Sequence, residues 1–143
     1  MSEPMRAFVE SRVSSLIASA HPGTPISFEN VTFAQPKSQH YIAVHILDGD
    51  SFQANLGRKH VERTPGILQV DVAAPKDVGK VTLNQIIKTL KDGFRGLQAP
   101  LVPRGSVSFR SPSSRRLGNE GAWFVVAMSV PYHRDEPVEV AVL

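Results

Sequence analysis

The sequence predicts an α+β fold, a single domain in which two helices pack on one face of a mostly antiparallel or mixed sheet. Three observations predict it. Two segments, residues 4–20 and 78–94, repeat apolar residues at steps of three and four, as amphipathic helices do. The stretches between and after them run apolar or alternate over strand lengths. The order of these signals, α-β-β-β-α-β-β, then gives a two-layer α+β sandwich. At 143 residues the chain is the size of one domain, with a surface-to-volume ratio that supports one core without staples.

The first helix carries Met5, Phe8, Val9, Val13, Leu16 and Ile17 on one stripe, with Arg12 as the charged exception. Ser2 can cap it, Pro4 suits its first turn, and His21-Pro22-Gly23 stops it. Thr24 to Pro36 reads as extended, with Ile26, Phe28, Val31 and Phe33 as apolar contacts and a bend at Glu29-Asn30. Tyr41 to Leu47 is apolar on both faces except for His45, which predicts an interior strand covered on two sides. Asp48-Gly49-Asp50 ends it as a turn. Residues 49–66 read as a long polar connection. Ile67 to Val72 then alternates, with Leu68, Val70 and Val72 inward and Gln69 and Asp71 outward, as a half-buried strand antiparallel to the one before. The second helix places Leu83, Ile86, Ile87, Leu90 and Phe94 on its buried face, and Gly93 and Gly96 mark its end. Val107 and Phe109 begin a last hairpin whose connection, 111–121, reads as a loop. Trp123 to Val130 is the return strand, and Val138 to Val142 reads as a strand-like tail at an edge. The expected core is Phe8, Val13, Leu16, Ile17, Val44, Val70, Ile87, Leu90 and Val126.

Composition excludes several chemistries. Hydrophobic residues make up 41% and charged residues 20%, which is not the balance of a disordered chain. Zero Cys removes disulfide scaffolds, thiolate metal sites and Cys nucleophiles together. No run approaches the ~20 apolar residues that span a bilayer, and Met1–Arg6 lacks the pattern of a signal peptide, so a soluble, cytosolic protein without a membrane partner is expected. His21, His40, His45, His60 and His133 form no helical i, i+4 pair, so no metal is expected. No Gly-x-Ser-x-Gly elbow and no phosphate-binding Gly-x-x-x-x-Gly-Lys loop occurs. Asp71 is the one isolated carboxylate on a strand face, and Ser106 is a turn residue; neither makes an enzyme, and no cofactor is implied. Leu101-Val102-Pro103-Arg104-Gly105-Ser106 spells the thrombin site of expression vectors, but its interior position between helix and strand marks it as coincidence.

Charge is more informative. Arg95, Arg104, Arg110, Arg115 and Arg116 fall between Asp92 and Glu120 with no acid among them, a local +5 against +3 for the whole chain, so the remainder is −2. Nucleic-acid binding would want aromatics interleaved for stacking, and only Phe109 is available, on the core face. An acidic protein surface is the better functional match, beside the plain alternative of a solvated loop. Phe52 and Leu56 in the first long connection and Leu117 in the second are apolar residues stranded among polar neighbours. They either fold back on the domain or contact another chain. The candidate interface is therefore Arg110, Arg115, Arg116 and Leu117 with Phe52, Leu56, Arg58 and Lys59.

The chain resembles the tail terminator-like proteins of tailed bacteriophages and prophages, similar to the terminator of lambda-like siphophages. The resemblance is carried by Phe8-Val9-Glu10-Ser11-Arg12, by Thr24 to Phe33, by Gly66-Ile67-Leu68-Gln69-Val70-Asp71-Val72 and by Gly121-Ala122-Trp123-Phe124-Val125-Val126, in that order. It implies a structural virion protein with no catalytic residues. Such proteins form a six-subunit ring that caps the tail tube, stops tube-protein polymerisation and presents a face to the head–tail connector. It also implies assembly in the bacterial cytoplasm and residence in the virion tail, with a monomer in dilute solution closing into a hexamer on the tube. Three rival readings differ in what they bind or do. A neighbouring connector or neck protein differs by partner. A nucleic-acid-binding module shows steep salt dependence. A small hydrolase has to use Asp71 or Ser106.

Overall fold

Met5, Val9, Val13 and Ile17 recur at every fourth position and form the buried stripe of helix α1 (Glu3–Ala20). The structure is a computed structural model that describes residues 3–29, 31–36, 38–57 and 59–139; the Ser2 cap lies outside them. Leu83, Ile86, Ile87, Leu90 and Phe94 form the matching stripe of α2 (Val81–Phe94). This helix starts after the expected Val78, because Asp77 and Gly79 take positive φ values of 70° and 82° that a helix cannot accommodate. Gly93 does not end α2. A Cβ there would overlap the Leu16 side chain, so its role is to let the two helices touch. Arg12, the charged exception on α1, donates to the Gly93 carbonyl at 2.9 Å and seals that crossing.

Both helices cover one face of a single mixed sheet. Its strands are β1 (Ile26–Ser27), β2 (Tyr41–Asp48), β3 (Phe52–Gln53), β4 (Lys59–Pro75), β5 (Gln98–Pro100), β6 (Ser106–Phe109), β7 (Ser113–Glu120) and β8 (Trp123–Glu139). The order is β1-β2-β4-β8-β6-β5, with β3 on β4 and β7 on β8; β1 and β2 are parallel and every other pair is antiparallel. Ile42, Val44, Ile46, Leu68, Val70, Val72, Met128 and Val130 point from the sheet into the helices. Phe109 joins them, with Phe94 edge-on at 5.1 Å and Phe8 stacked at 6.2 Å. Of the expected core, Val13, Ile17, Val44, Val70, Ile87 and Leu90 are buried, while Phe8, Leu16 and Val126 are half-buried around it.

The antiparallel pairing of β2 with β4 places Leu68, Val70 and Val72 inward as their alternation predicts. Four expectations change. β2 is fully buried on its helix face, at Ile42, Val44 and Ile46, and only partly covered on the other: Tyr41 packs between Phe33 and Trp123, while Leu47 at the far end is 52% exposed. Residues 49–66 are not one connection, because β4 begins at Lys59 and runs beside β8 over its whole length. Residues 111–121 are not a loop; β7 forms a hairpin with β8. The tail is no separate edge strand either, since Val138 and Glu139 continue β8 opposite His60 and Lys59, and the rest of it lies outside the described residues.

Proline explains two of these breaks in reading. Pro65 and Pro131 lie inside long strands, yet each falls where a neighbour is missing. β2 ends opposite Gly66, and Pro131 sits between the ends of β6 and β7 on β8. A missing N–H costs nothing at such a gap. The Pro131 carbonyl still accepts from the Arg110 N–H at 2.8 Å.

Candidate assembly interface

The unequal strand lengths create the first exposed feature. β4 and β8 outrun β2, so Lys59–Pro65 and His133–Glu139 form an arm flanked by β3 on β4 and by β6 on β8, and only its tip, Lys59–Val61 with Pro137–Glu139, is two-stranded. Asn55 shapes the arm's turn: its side-chain oxygen accepts from the Val61 N–H at 2.6 Å. The Ser51 and Thr64 hydroxyls meet at 2.6 Å beneath it. Arg63 holds Asp135 across the ladder through two bonds, 2.8 and 3.0 Å long. Those bonds keep the Asp135 carboxyl below its ordinary range against the opposing pull of burial. On this braced arm Phe52 is 52% and Leu56 92% exposed, and Lys59 is exposed beside them. A cleft of about 300 Å³ opens between Lys59, Val61, Pro137 and Arg104. Arg58 lies outside the described residues.

The second feature is the β7 edge. Being a strand, it alternates its side chains between the two faces. Arg115 stands opposite Ala127 on the face without helices, and Arg116 opposite Val126 on the helix face. The two arginines therefore do not act as one pair, as adjacency in a loop would allow. The Arg116 guanidinium lies 5.4 Å from the Phe124 ring centre, and the Lys80 ammonium lies 5.3 Å from the same ring. Leu117 is the extra residue of a bulge between Arg116 and Gly118. Arg110 is exposed at the gap between β6 and β7.

The candidate residues thus fall into two groups. Phe52, Leu56 and Lys59 share the arm; Arg110, Arg115, Arg116 and Leu117 share an edge. Phe52 faces Arg63 and Arg116 faces the row of Val72. That interval along β4 is about 30 Å at ~3.3 Å per residue. Sequence reasoning missed Lys76, Lys80 and Phe124, which line a cleft of about 180 Å³ beside Asn119 at the hairpin end. Only the hairpin brings them near Arg116, and nothing in the sequence spacing signals that.

The hydrolase candidates do not meet. Asp71 accepts from Gln69 at 3.0 Å and lies 3.5 Å from His45 on the sheet face without helices. Ser106 pairs opposite Asp135, at the other end of β8 from Ala127, the partner of Asp71. Among the described residues no group of three or more His, Asp or Glu is placed to hold a metal. Among them, too, no helix is long and apolar enough to cross a membrane.

The family model described as phage tail terminator protein matches residues 5–132. The chain belongs to the phage tail terminator family. That is a structural family of the bacteriophage tail, and membership places the chain among virion tail components that contact other tail proteins. The fold agrees: a solved structure at 22% identity superposes with a TM-score of 0.70, covering 94% of this chain and 96% of its own. No curated protein matches the chain in sequence.

Proposed function

We propose that this terminator caps the tail tube as a ring of six identical subunits, stops tube-protein polymerisation and offers a face to the head–tail connector. It assembles in the bacterial cytoplasm and remains in the virion. The observation that supports this reading is the separation of two unlike exposed surfaces on one sheet. A ring cap has two kinds of neighbour, copies of itself and the tube or connector. The arm, where Phe52 and Leu56 stand exposed among Lys59, Glu62 and Arg104, suits contact with a neighbouring subunit, where burying large apolar groups drives association. The cationic edge with Arg110, Arg115 and Arg116 suits a differently charged surface, since arginine binds carboxylates through two parallel bonds. Contacts between unlike patches close into a ring when the rotation between subunits divides a full turn.

The test is genetic. Deleting the gene should give tails of uncontrolled length and no joined particles by electron microscopy, and supplying the protein in trans should restore normal tails. Normal-length tails on normal particles without the gene would overturn the reading.

A further inference from the structure

We propose that the outer edge of β7 is the docking site for an extended, carboxylate-bearing strand of another protein, which adds to the sheet beside β7. The tail reading supplies only the class of that protein, another tail component; the edge chemistry rests on the structure.

β7 spans Ser113–Glu120 and pairs with β8 alone. Ser113, Ser114, Arg115, Arg116, Leu117 and Asn119 are all exposed. An edge of this kind presents a row of N–H and C=O groups to an incoming strand. Cations flank it on both faces. Arg115 stands on the open face, and Arg116 with Lys80 stands on the helix face over Phe124. Lys76 lies at the cleft by the hairpin end, with Asp77 there and Glu120 closing β7 as the acids. A strand carrying carboxylates on both of its faces would meet a cation on each side.

The same features argue against a second copy. β7 carries Arg115 and Arg116 against one acid, Glu120, so pairing it with another β7 joins two strands of like net charge. The short strands β1, β3 and β5 are Ile26-Ser27, Phe52-Gln53 and Gln98-Ala99-Pro100, with no acid among them, and the acid-bearing end of β8 beyond β6, Glu136–Glu139, is four residues long and broken by Pro137, which has no N–H to donate. On β2 the Ile46 N–H is already taken by the Glu29 carboxylate at 2.6 Å. Edge charges and a bulge discourage chance pairing. Here they also make the edge selective, because a neutral or basic strand leaves the arginines unanswered.

The test uses the full chain and short capped peptides of threonine and valine bearing glutamates on both faces. A lysine-for-glutamate counterpart and two acidic versions, each N-methylated at alternate residues along one edge, complete the set. The acidic peptide should bind, slow amide exchange along 113–119 and weaken with salt; the lysine peptide should not bind. Only one methylated version should retain binding, because strand addition uses one edge of the peptide. Arg115→Glu with Arg116→Glu should lower affinity roughly tenfold or more, the scale of losing a charge-assisted bond. The Arg115→Gln, Arg116→Gln variant should fall between, with unchanged circular dichroism in both. Failure of the acidic peptide to bind, unchanged exchange at β7, or equal binding of both methylated versions would overturn the proposal. Length defects on gene deletion without peptide binding would leave the tail reading standing and sink the edge. Selective peptide binding with normal tails after deletion would do the reverse.

Discussion

Gly66 lies in the middle of β4, where a side chain would ordinarily strengthen the sheet, and Tyr132 is the reason it has none. A Cβ at Gly66 would overlap the Tyr132 hydroxyl and come within 2.6 Å of the Leu47 carbonyl oxygen. Tyr132 uses the space to donate to Asp48, whose other oxygen accepts from Arg134 at 3.3 Å. Burial works against the Asp48 carboxylate, but the bonds from Tyr132 and Arg134 win and hold it below its ordinary range. Burial first, and then the bond to Asp48, push the Tyr132 phenol well up. The Asp48 and Arg134 side chains are only 13% and 15% exposed, so Asp48→Ala strands a cation and a hydroxyl away from water. The expected cost is about 3 kcal/mol by chemical denaturation. A depressed carboxylate pKa stabilises the fold above its unfolded value of ~3.9, and that stability is lost as pH falls through the folded value. Asp135, lowered by Arg63, adds to the same acid limb. Asp48→Asn should therefore flatten the stability curve below about pH 4. An unchanged acid limb in that variant would show that Asp48 does not anchor this corner.

At the scale of elements, the helices and the 67–72 segment of β4 were legible because each buries one face against the other layer, and that leaves a period in the sequence. Leu90, buried on α2, should cost about 2–5 kcal/mol when replaced by Ala; a loss below about 0.5 kcal/mol would mean α2 does not pack as observed. β7 left no such trace. Ser113-Ser114-Arg115-Arg116-Leu117-Gly118-Asn119-Glu120 holds one apolar residue, and its strand conformation comes from the β8 ladder and from a turn at Gly121, with φ of 61°. Pro65 and Pro131 hid the full lengths of β4 and β8 for the reasons of pairing given above. The candidate interface was legible as charge and stranded apolar residues. Its division between two ends was not, because the face of Arg115 or Arg116 depends on the segment being a strand. Arg115→Glu with Arg116→Glu should change folding stability by no more than about 0.5 kcal/mol, as exposed substitutions do. Amide exchange should show half of the β7 amides protected by β8 and the outward half fast. Uniformly fast exchange across 113–120 would restore the loop reading.

At the scale of the whole molecule, one sheet carries two exposed large apolar residues, Phe52 and Leu56, at one end and a cationic strand edge at the other. Association of copies has to offset lost translational and rotational freedom. A cap that closed before meeting a tube would also be spent unproductively. The purified protein is therefore expected to be a monomer at low concentration, and to form six-subunit rings when tube protein is present or its own concentration is high. Light scattering measures the first and electron microscopy of tubes the second. Leu56, at 92% exposure, touches too little of its own domain to matter for folding. Leu56→Asp should leave the monomer stable within about 0.5 kcal/mol and, with Phe52→Asp added, abolish rings on tubes, while the β7 edge still binds its acidic peptide. An obligate dimer at every concentration would remove the ring. Rings that form normally with both aspartates in place would move the subunit contact off the arm and onto the sheet face without helices, where Leu47 and Ile67 are 52% and 43% exposed.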